Sequence, residues 1–162
     1  MNYFELFGFD MSPSVDKTLV SQKYFILQKN NHPDFFTQST EDEQEEALQQ
    51  SAAINKAFAI FQNEEKNIEY FLQVKGVILP DEKYQLSPDF LMEMMELNEA
   101  ISENNSINIS NELATIEKPL YEEIKPILDQ PAAEYDASDL EKLKSYYYKK
   151  KYLKRILDRL DD

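Results

Sequence analysis

The only histidine of the chain lies in the stretch Asn30-Asn31-His32-Pro33-Asp34, where an imidazole and a carboxylate flank a proline. The imidazole can donate and accept hydrogen bonds, and the carboxylate can accept charge-assisted bonds from a cationic donor. Proline disfavours helical geometry in the residue before it, so an arriving helix should end near Asn31. Polar side chains on a loop between helices are a common form of binding site. Taken alone, the tripeptide is more often an ordinary helix stop and turn than a binding site, and its context decides between the two.

No other group of residues in the sequence has the spacing of a catalytic or metal site. The chain has one His and no Cys, which leaves no thiolate metal site and no disulfide framework. It contains no glycine-rich phosphate loop, no G-x-S-x-G motif and no EF-hand spacing. We therefore predict that the protein is not an enzyme and uses no cofactor and no metal.

Charge and hydropathy restrict the partners and the compartment. The formal net charge of −14 repels the phosphate backbone of nucleic acids and anionic membrane surfaces. No apolar run approaches the roughly 20 residues that span a bilayer, and the N-terminal residues resemble neither a secretory nor an organellar signal. The absence of Cys fits a reducing compartment. We expect a cytoplasmic protein with no nucleic-acid partner and no membrane partner.

Helical patterns lie on both sides of the histidine loop. A short aromatic helix should end near Gly8, a second helix should run to about Asn31, and a third should follow the capping box at Thr40–Glu43. Because roughly ten residues join the second and third helices, these two should pack as an antiparallel hairpin. A shorter fourth helix should stop at Gly76. The inward candidates of the third helix are Leu48, Ser51, Ile54, Asn55, Phe58 and Phe61.

The helical periodicity is interrupted over residues 77–86, and we place a linker there. A further helix should start at Ser87-Pro88-Asp89 and run to about Asn104. This helix is apolar on nearly all sides, so it is either central in its own bundle or presents a second apolar face to a partner. The pattern alone does not separate the two interpretations.

Two more helices complete the C-terminal half. Residues 107–130 have a helical pattern that should break near Pro119, because proline in a helix interior costs about 3 kcal/mol. A capping box at Ser138–Glu141 should start a last helix that ends near Leu160, with Tyr147 among its inward residues. A basic run on this helix is read first as a solvated face and second as a nucleic-acid contact; it consists of Lys149, Lys150, Lys151, Lys154 and Arg155. The patterns together predict an all-α fold, with a helical hairpin over 1–76 and a three-helix bundle over 87–162.

The order of these features resembles a J-domain: a short aromatic helix, a helix with spaced lysines, His-Pro-Asp and a long helix. The segments Asn2–Gly8 and Leu48–Asn55 are similar to the HscB (Jac-type) co-chaperones of iron–sulfur cluster assembly. The segment Phe90–Glu99 resembles the scaffold-binding helix of that family. The resemblance implies a J-domain over residues 1–76 and a scaffold-binding bundle over 87–162. Without an N-terminal cysteine-rich segment, the chain resembles the bacterial members.

The resemblance implies two protein partners. An ATP-driven chaperone of the HscA/DnaK class would contact His32, Pro33 and Asp34 together with the basic residues Lys23 and Lys29. An IscU-type iron–sulfur scaffold would contact the C-terminal bundle. The residues that match scaffold-binding positions of the family are Leu91, Met92, Met95, Glu96, Glu99, Lys151 and Tyr152. The implied function is a co-chaperone that binds the scaffold, stimulates the ATPase of the chaperone and promotes cluster maturation or transfer.

Two alternatives remain open at this stage. The chain could be a general J-domain co-chaperone whose C-terminal bundle binds unfolded clients. It could instead be a structural adaptor with a non-functional J-domain, because Phe35 follows the tripeptide where J-domains commonly carry Lys or Arg. The second helix also has few basic residues, and it carries Phe25 and Ile26 on a side that we expect to be polar.

Overall fold

The structure is a computed structural model, and it describes residues 1–103, 108–131 and 134–160, with the side chain of residue 160 excluded. The described residues form helices and connecting segments and contain no strand, which confirms the all-α class. The helices are α1 Tyr3–Phe7, α2 Lys17–Asn31, a 3₁₀ helix Pro33–Phe36, α3 Glu41–Phe61, α4 Glu64–Val74, α5 Pro88–Glu103, α6 Ile109–Leu128 and α7 Ala137–Leu160.

The chain divides into two compact units. The N-terminal unit consists of Met1–Lys75 with Pro131–Glu134, and the C-terminal unit consists of Gly76–Gln130 with Tyr135–Asp162. Helices α1 to α4 therefore belong to the first unit, and α5 to α7 belong to the second. The expected helix end at Asn104 and helix start at Ile107 lie outside the described residues.

An aromatic core holds the N-terminal unit together. Phe4 and Phe7 of α1 are buried against Phe61 of α3, with ring centroids 5.1 and 5.4 Å apart. Val20 of α2 and Phe71 of α4 are fully buried as well. Burying each large apolar side chain contributes about 1.5–3 kcal/mol, so this shared core keeps the two long helices in place on either side of the histidine loop.

The second and third helices form the predicted antiparallel hairpin. Near the loop, the Gln28 amide donates to the backbone oxygen of Ser51 at 3.3 Å, and Ser51 Oγ donates back to Gln28 Oε1 at 2.9 Å. Farther from the loop, the Tyr24 hydroxyl donates to Asn55 Oδ1 at 2.8 Å. Lower residue numbers on α2 are therefore paired with higher residue numbers on α3. This is the antiparallel arrangement, and it confirms the hairpin.

Local capping explains where these helices begin and end. The Asp16 carboxylate accepts from the backbone N–H of Thr18 and Leu19 at the start of α2, and Thr40 caps α3 as predicted. Both predicted glycine stops are confirmed, because Gly8 and Gly76 follow α1 and α4 with a φ of +72°. Glycine takes up this left-handed geometry without the clash that a Cβ would introduce.

The C-terminal unit has its own core, which excludes a central position for α5. Phe90, Met94 and Leu97 are buried along one face of α5, whereas Leu91, Met92 and Met95 are exposed. Helix α5 therefore buries one apolar face in its own bundle and exposes a second one, so it is not central in the bundle. Its buried face packs with Leu113, Leu153 and Ile156 from α6 and α7.

The predicted break near Pro119 is wrong, because α6 continues through Pro119 and Pro126. The two prolines are seven residues apart, so they share one helix face, and both are exposed. Water can therefore pair the carbonyls that lose a helical donor. The buried residues of α6 lie on the opposite face, where packing against the core can hold the helix together.

The predicted cap of α7 is also displaced. The helix begins at Ala137, and the backbone N–H of Asp139 donates to Asp136 Oδ1 at 2.8 Å. Asp139 Oδ2 accepts from the backbone N–H of Asp136 at 3.2 Å, which completes a reciprocal box. Asp136 therefore replaces Ser138 as the first residue of the capping box.

The segment before α5 is attached to the last helix. Lys144 Nζ of α7 forms an ion pair with Glu82 Oε1 at 3.0 Å, and the Tyr148 hydroxyl donates to Glu82 Oε2 at 2.7 Å. The rings of Tyr84 and Tyr148 stack with centroids 4.4 Å apart. These contacts follow a turn in which Asp81 has a φ of +59°.

No helix among the described residues is long and apolar enough to cross a membrane.

Candidate interaction surfaces

The His-Pro-Asp corner lies at the end of the α2–α3 hairpin and is open to solvent. His32 ends α2 and starts the 3₁₀ helix, and its Nδ1 accepts from the backbone N–H of Asp34 at 3.2 Å. This bond requires Nδ1 to be unprotonated, which leaves Nε2 as a donor for a partner. The side chains of His32 and Asp34 are 46% and 85% exposed. Both are therefore available to another protein.

Gln44 positions the loop that follows the corner. Its side-chain amide donates to the backbone oxygens of Phe36, Thr37 and Ser39 at 3.0, 3.2 and 3.2 Å. This one side chain in the first turn of α3 therefore restrains the path of the loop. Sequence reasoning missed Gln44, because nothing in the local sequence indicates which carbonyls the folded loop brings to it.

The lysines expected beside the corner occupy two different places. The ammonium group of Lys23 lies over the end of α1, because its Nζ is 3.8 Å from the position that a Cβ atom would take at Gly8. Lys29 is exposed in the last turn of α2, three residues before His32. Lys29 is thus close to the corner, whereas Lys23 is about 13 Å back along the helix at 1.5 Å per residue.

Large apolar side chains on α2 and just after it are exposed. Phe35 is 66% exposed, and its ring meets the His32 ring edge-on at a centroid distance of 6.2 Å. Phe25 and Ile26 on α2 are 72% and 54% exposed. The side that we expected to be polar is therefore apolar in part.

The second surface is the solvent face of α5, with neighbouring residues of α7. Met92 and Met95 are 60% and 62% exposed, and Leu91 is 37% exposed. Glu96 and Glu99 are exposed on the same helix. At 100° per residue, all five side chains fall on the half of α5 opposite its buried face. We call these five residues the α5 face.

Tyr152 and Lys151 of α7 lie close to the start of α5. The Tyr152 ring meets the buried Phe90 ring edge-on at a centroid distance of 6.0 Å. Lys151 is exposed, and its Nζ lies 5.8 Å from the centroid of the Tyr147 ring. Since Phe90 precedes Leu91, the structure brings α7 next to the first turn of the α5 face.

Electrostatics in the C-terminal unit centre on Glu82. Hydrogen bonds from Tyr148 and then from Lys144 lower the pKa of this carboxyl below its ordinary value. Burial, followed by the hydrogen bond to Glu82, raises the pKa of the Tyr148 phenol well above its ordinary value. Within the described residues, no group of three or more His, Asp or Glu side chains is arranged to hold a metal ion.

Comparisons with known proteins give consistent relatives. A family model described as the HSCB C-terminal oligomerisation domain matches residues 86–161. A co-chaperone protein HscB homologue of Colwellia psychrerythraea is 34% identical over all of this chain and 97% of its own length. One of Vibrio cholerae is 40% identical over 62% of this chain and 60% of its own length.

Two solved structures have the same fold over 99% of this chain. The crystal structure of human co-chaperone protein HscB matches with a TM-score of 0.79 at 25% identity, and 81% of the human chain is covered. The chaperone HscB from Vibrio cholerae matches with a TM-score of 0.62 at 29% identity, and 99% of that chain is covered.

Proposed function

Because this chain belongs to the HscB co-chaperone family, we propose that it is a co-chaperone of iron–sulfur cluster assembly that links two proteins. One is an ATP-driven chaperone of the HscA/DnaK class, and the other is an IscU-type scaffold. The observation that carries the proposal is the presence of two solvent-exposed surfaces on separate units of one chain. These are the His-Pro-Asp corner and the α5 face.

The corner provides the contact with the chaperone. Asp34 can accept charge-assisted hydrogen bonds from an arginine with two-point geometry, which a lysine does not reproduce. Pro33 and the Gln44 bonds fix the loop before docking, so little ordering entropy is lost. By binding the hydrolysing conformation of the chaperone more tightly than the other conformation, the corner shifts the partner toward ATP hydrolysis.

The α5 face provides the contact with the scaffold. Leu91, Met92 and Met95 offer apolar area, and methionine adapts to irregular partner surfaces. Glu96 and Glu99 give the same face acidic groups that favour a basic complement on the partner. Lys151 and Tyr152 extend the contact onto α7. With both proteins bound to one chain, the scaffold is held near the chaperone at a raised effective concentration.

The test is the ATPase rate of the chaperone in the presence of this protein and the scaffold. We expect stimulation by the wild type and a loss of at least tenfold in the apparent affinity for the chaperone with Asp34→Asn, since hydrogen bonds to charged groups contribute about 1.5–3 kcal/mol. Asp34 is highly exposed, so thermal unfolding should be unchanged. The absence of stimulation by the wild type, or full stimulation by Asp34→Asn, would contradict the proposal. Scaffold binding without any response of the chaperone would instead indicate an adaptor.

A general co-chaperone for unfolded clients is the second candidate, and the exposed methionines of the α5 face favour it because such a surface accommodates many sequences. The two candidates differ in specificity. If the first holds, an unrelated unfolded protein should not displace the scaffold. If the second holds, the paired substitution Leu91→Ala and Met95→Ala should weaken all clients to the same extent.

A further inference from the structure

A basic cavity of about 320 Å³ lies in the C-terminal unit between the segment before α5 and α7. Lys83, Lys151 and Arg155 line it together with Tyr84 and Tyr148. Three cations around one cavity are unexpected in a chain with a net charge of −14. Leu86 and Tyr152 of the wall also pack against the hydrophobic core of the unit, so the cavity lies at the edge of that core.

The acidic residue that lines the cavity does not neutralise these cations. Among the described residues, Glu82 is the carboxylate in the wall. Its two oxygens are occupied by Lys144 at 3.0 Å and by the Tyr148 hydroxyl at 2.7 Å, and Lys144 is not part of the wall. Within the described residues, Lys83 and Arg155 form no ion pair. The cavity therefore offers positive charge that is free for a ligand.

The chemistry of the wall suits a carboxylate-bearing ligand. A guanidinium group binds a carboxylate with two parallel hydrogen bonds, and two nearby ammonium groups add charge. The stacked rings of Tyr84 and Tyr148 form an apolar side against which the carbon atoms of an acidic side chain can pack. The attachment of Glu82 to α7 holds that side in place before the ligand arrives.

The position of the cavity points to one source for that carboxylate. Lys151 and Tyr152 line the cavity and also belong to the proposed scaffold contact, and Tyr152 contacts Phe90 at the start of α5. A protein bound on the α5 face would therefore reach the cavity along α7. We propose that the basic cavity is a second contact for the scaffold, in which Lys83, Lys151 and Arg155 bind an acidic segment of that protein. This inference rests on the proposed function.

The experiment measures scaffold affinity by calorimetry at low and high salt, with the full chain. The paired substitution Lys83→Gln and Arg155→Gln should weaken binding about tenfold at low salt and less at high salt, because the lost contacts are ionic. The matched control is Lys118→Gln with Lys125→Gln, which removes two exposed charges from α6 of the same unit and should change the affinity less than twofold. Equal effects of the two pairs would overturn the inference, because they would show that only the net charge of the protein affects scaffold binding.

A second readout requires no substitution. On addition of the scaffold, the side-chain Nε–H signal of Arg155 in the wild type should shift in an NMR spectrum, whereas sodium phosphate at the same ionic strength should shift it weakly and be displaced by the scaffold. Tight binding of phosphate that the scaffold does not displace would overturn the inference in favour of an inorganic anion site. If Leu91→Ala with Met95→Ala weakens scaffold binding while Lys83→Gln with Arg155→Gln binds like the wild type, this inference fails and the proposed function stands. If the wild type does not bind the scaffold, the proposed function itself fails.

Discussion

At the scale of single residues, the corner depends on a side chain outside it. Gln44 joins three loop carbonyls to α3, so Gln44→Ala should let the loop after Asp34 sample other conformations. We expect weaker apparent binding of the chaperone by about three- to tenfold, because ordering the loop would then oppose docking. Stimulation at saturating concentration should be retained.

The control for Gln44→Ala is Gln49→Ala, which changes an exposed glutamine of the same helix with no loop contact. ATPase titrations with both variants give the affinities, and amide hydrogen exchange over residues 36–39 reports the loop directly. Faster exchange without any change in affinity would show that the loop order does not contribute to docking.

A second prediction at this scale concerns the carboxyl group of Glu82. The Tyr148 hydroxyl is the largest cause of its lowered pKa, so Tyr148→Phe should raise the pKa toward the ordinary value of 4.5. Since the folded-state pKa is below the unfolded value, the stabilisation is present above pH 4.5 and is lost as the pH falls through the folded value. Acid should therefore destabilise the wild-type C-terminal unit more than the variant.

Carbon-detected NMR titration of the Glu82 carboxyl measures this pKa. Tyr84→Phe is the matched control, because it keeps the ring stacked on Tyr148 and does not change a hydrogen bond of Glu82. An unchanged pKa in Tyr148→Phe would contradict the assigned cause.

At the scale of elements, the continuous α6 allows a stability prediction. Replacing Pro119 by Ala restores an N–H that can donate within the helix and removes the ring clash. The larger entropy of the unfolded chain offsets part of this gain, so we expect stabilisation of about 1–3 kcal/mol. Urea unfolding followed by circular dichroism measures it. Pro131→Ala, outside the helix, should change stability by less than about 0.5 kcal/mol. Destabilisation by Pro119→Ala would mean that proline fits a distortion that the core requires.

Local signals predicted most elements, and tertiary packing decided the rest. Thr40 and the two glycines act within a few residues, and the helix ends that they specify are confirmed. The inward face of α3 was predicted less well, because hydropathy favoured Leu48, which is 60% exposed, while Ala47 is buried. A small side chain lets two helices approach closely, and this preference does not appear in a hydropathy pattern.

Tertiary packing also decided which tyrosine of α7 is buried and where the interaction surfaces lie. Tyr146 is buried instead of the expected Tyr147, which is half-buried. The proline in His-Pro-Asp predicted an open corner, whereas periodicity left the exposure of the α5 face undecided until the buried positions Phe90, Met94 and Leu97 were known. The basic cavity is different, because Lys83 and Arg155 are brought together by contacts between residues that are distant in sequence. No local pattern could have predicted it.

At the scale of the whole molecule, the two surfaces lie in different compact units. A defect in one surface should therefore leave the other intact. A chain that carries both Asp34→Asn and the α5 pair, Leu91→Ala with Met95→Ala, should bind the chaperone as Asp34→Asn does and the scaffold as the α5 pair does. Scaffold affinity should be unchanged by Asp34→Asn, and stimulation without scaffold should be unchanged by the α5 pair. Calorimetry and ATPase assays measure the two quantities separately.

A stricter prediction follows from the need for both surfaces on one chain. If the protein acts by holding the scaffold near the chaperone, an equimolar mixture of Asp34→Asn and the α5 pair should not restore the extra stimulation that scaffold produces with the wild type. Each variant retains one working surface, but neither connects the two partners, so the gain in effective concentration is absent. The ATPase rate of the mixture should equal the mean of the two variants measured alone. Restoration to the wild-type rate would show that the surfaces can act from different chains, and the link through one chain would then have to be abandoned as the basis of the activity.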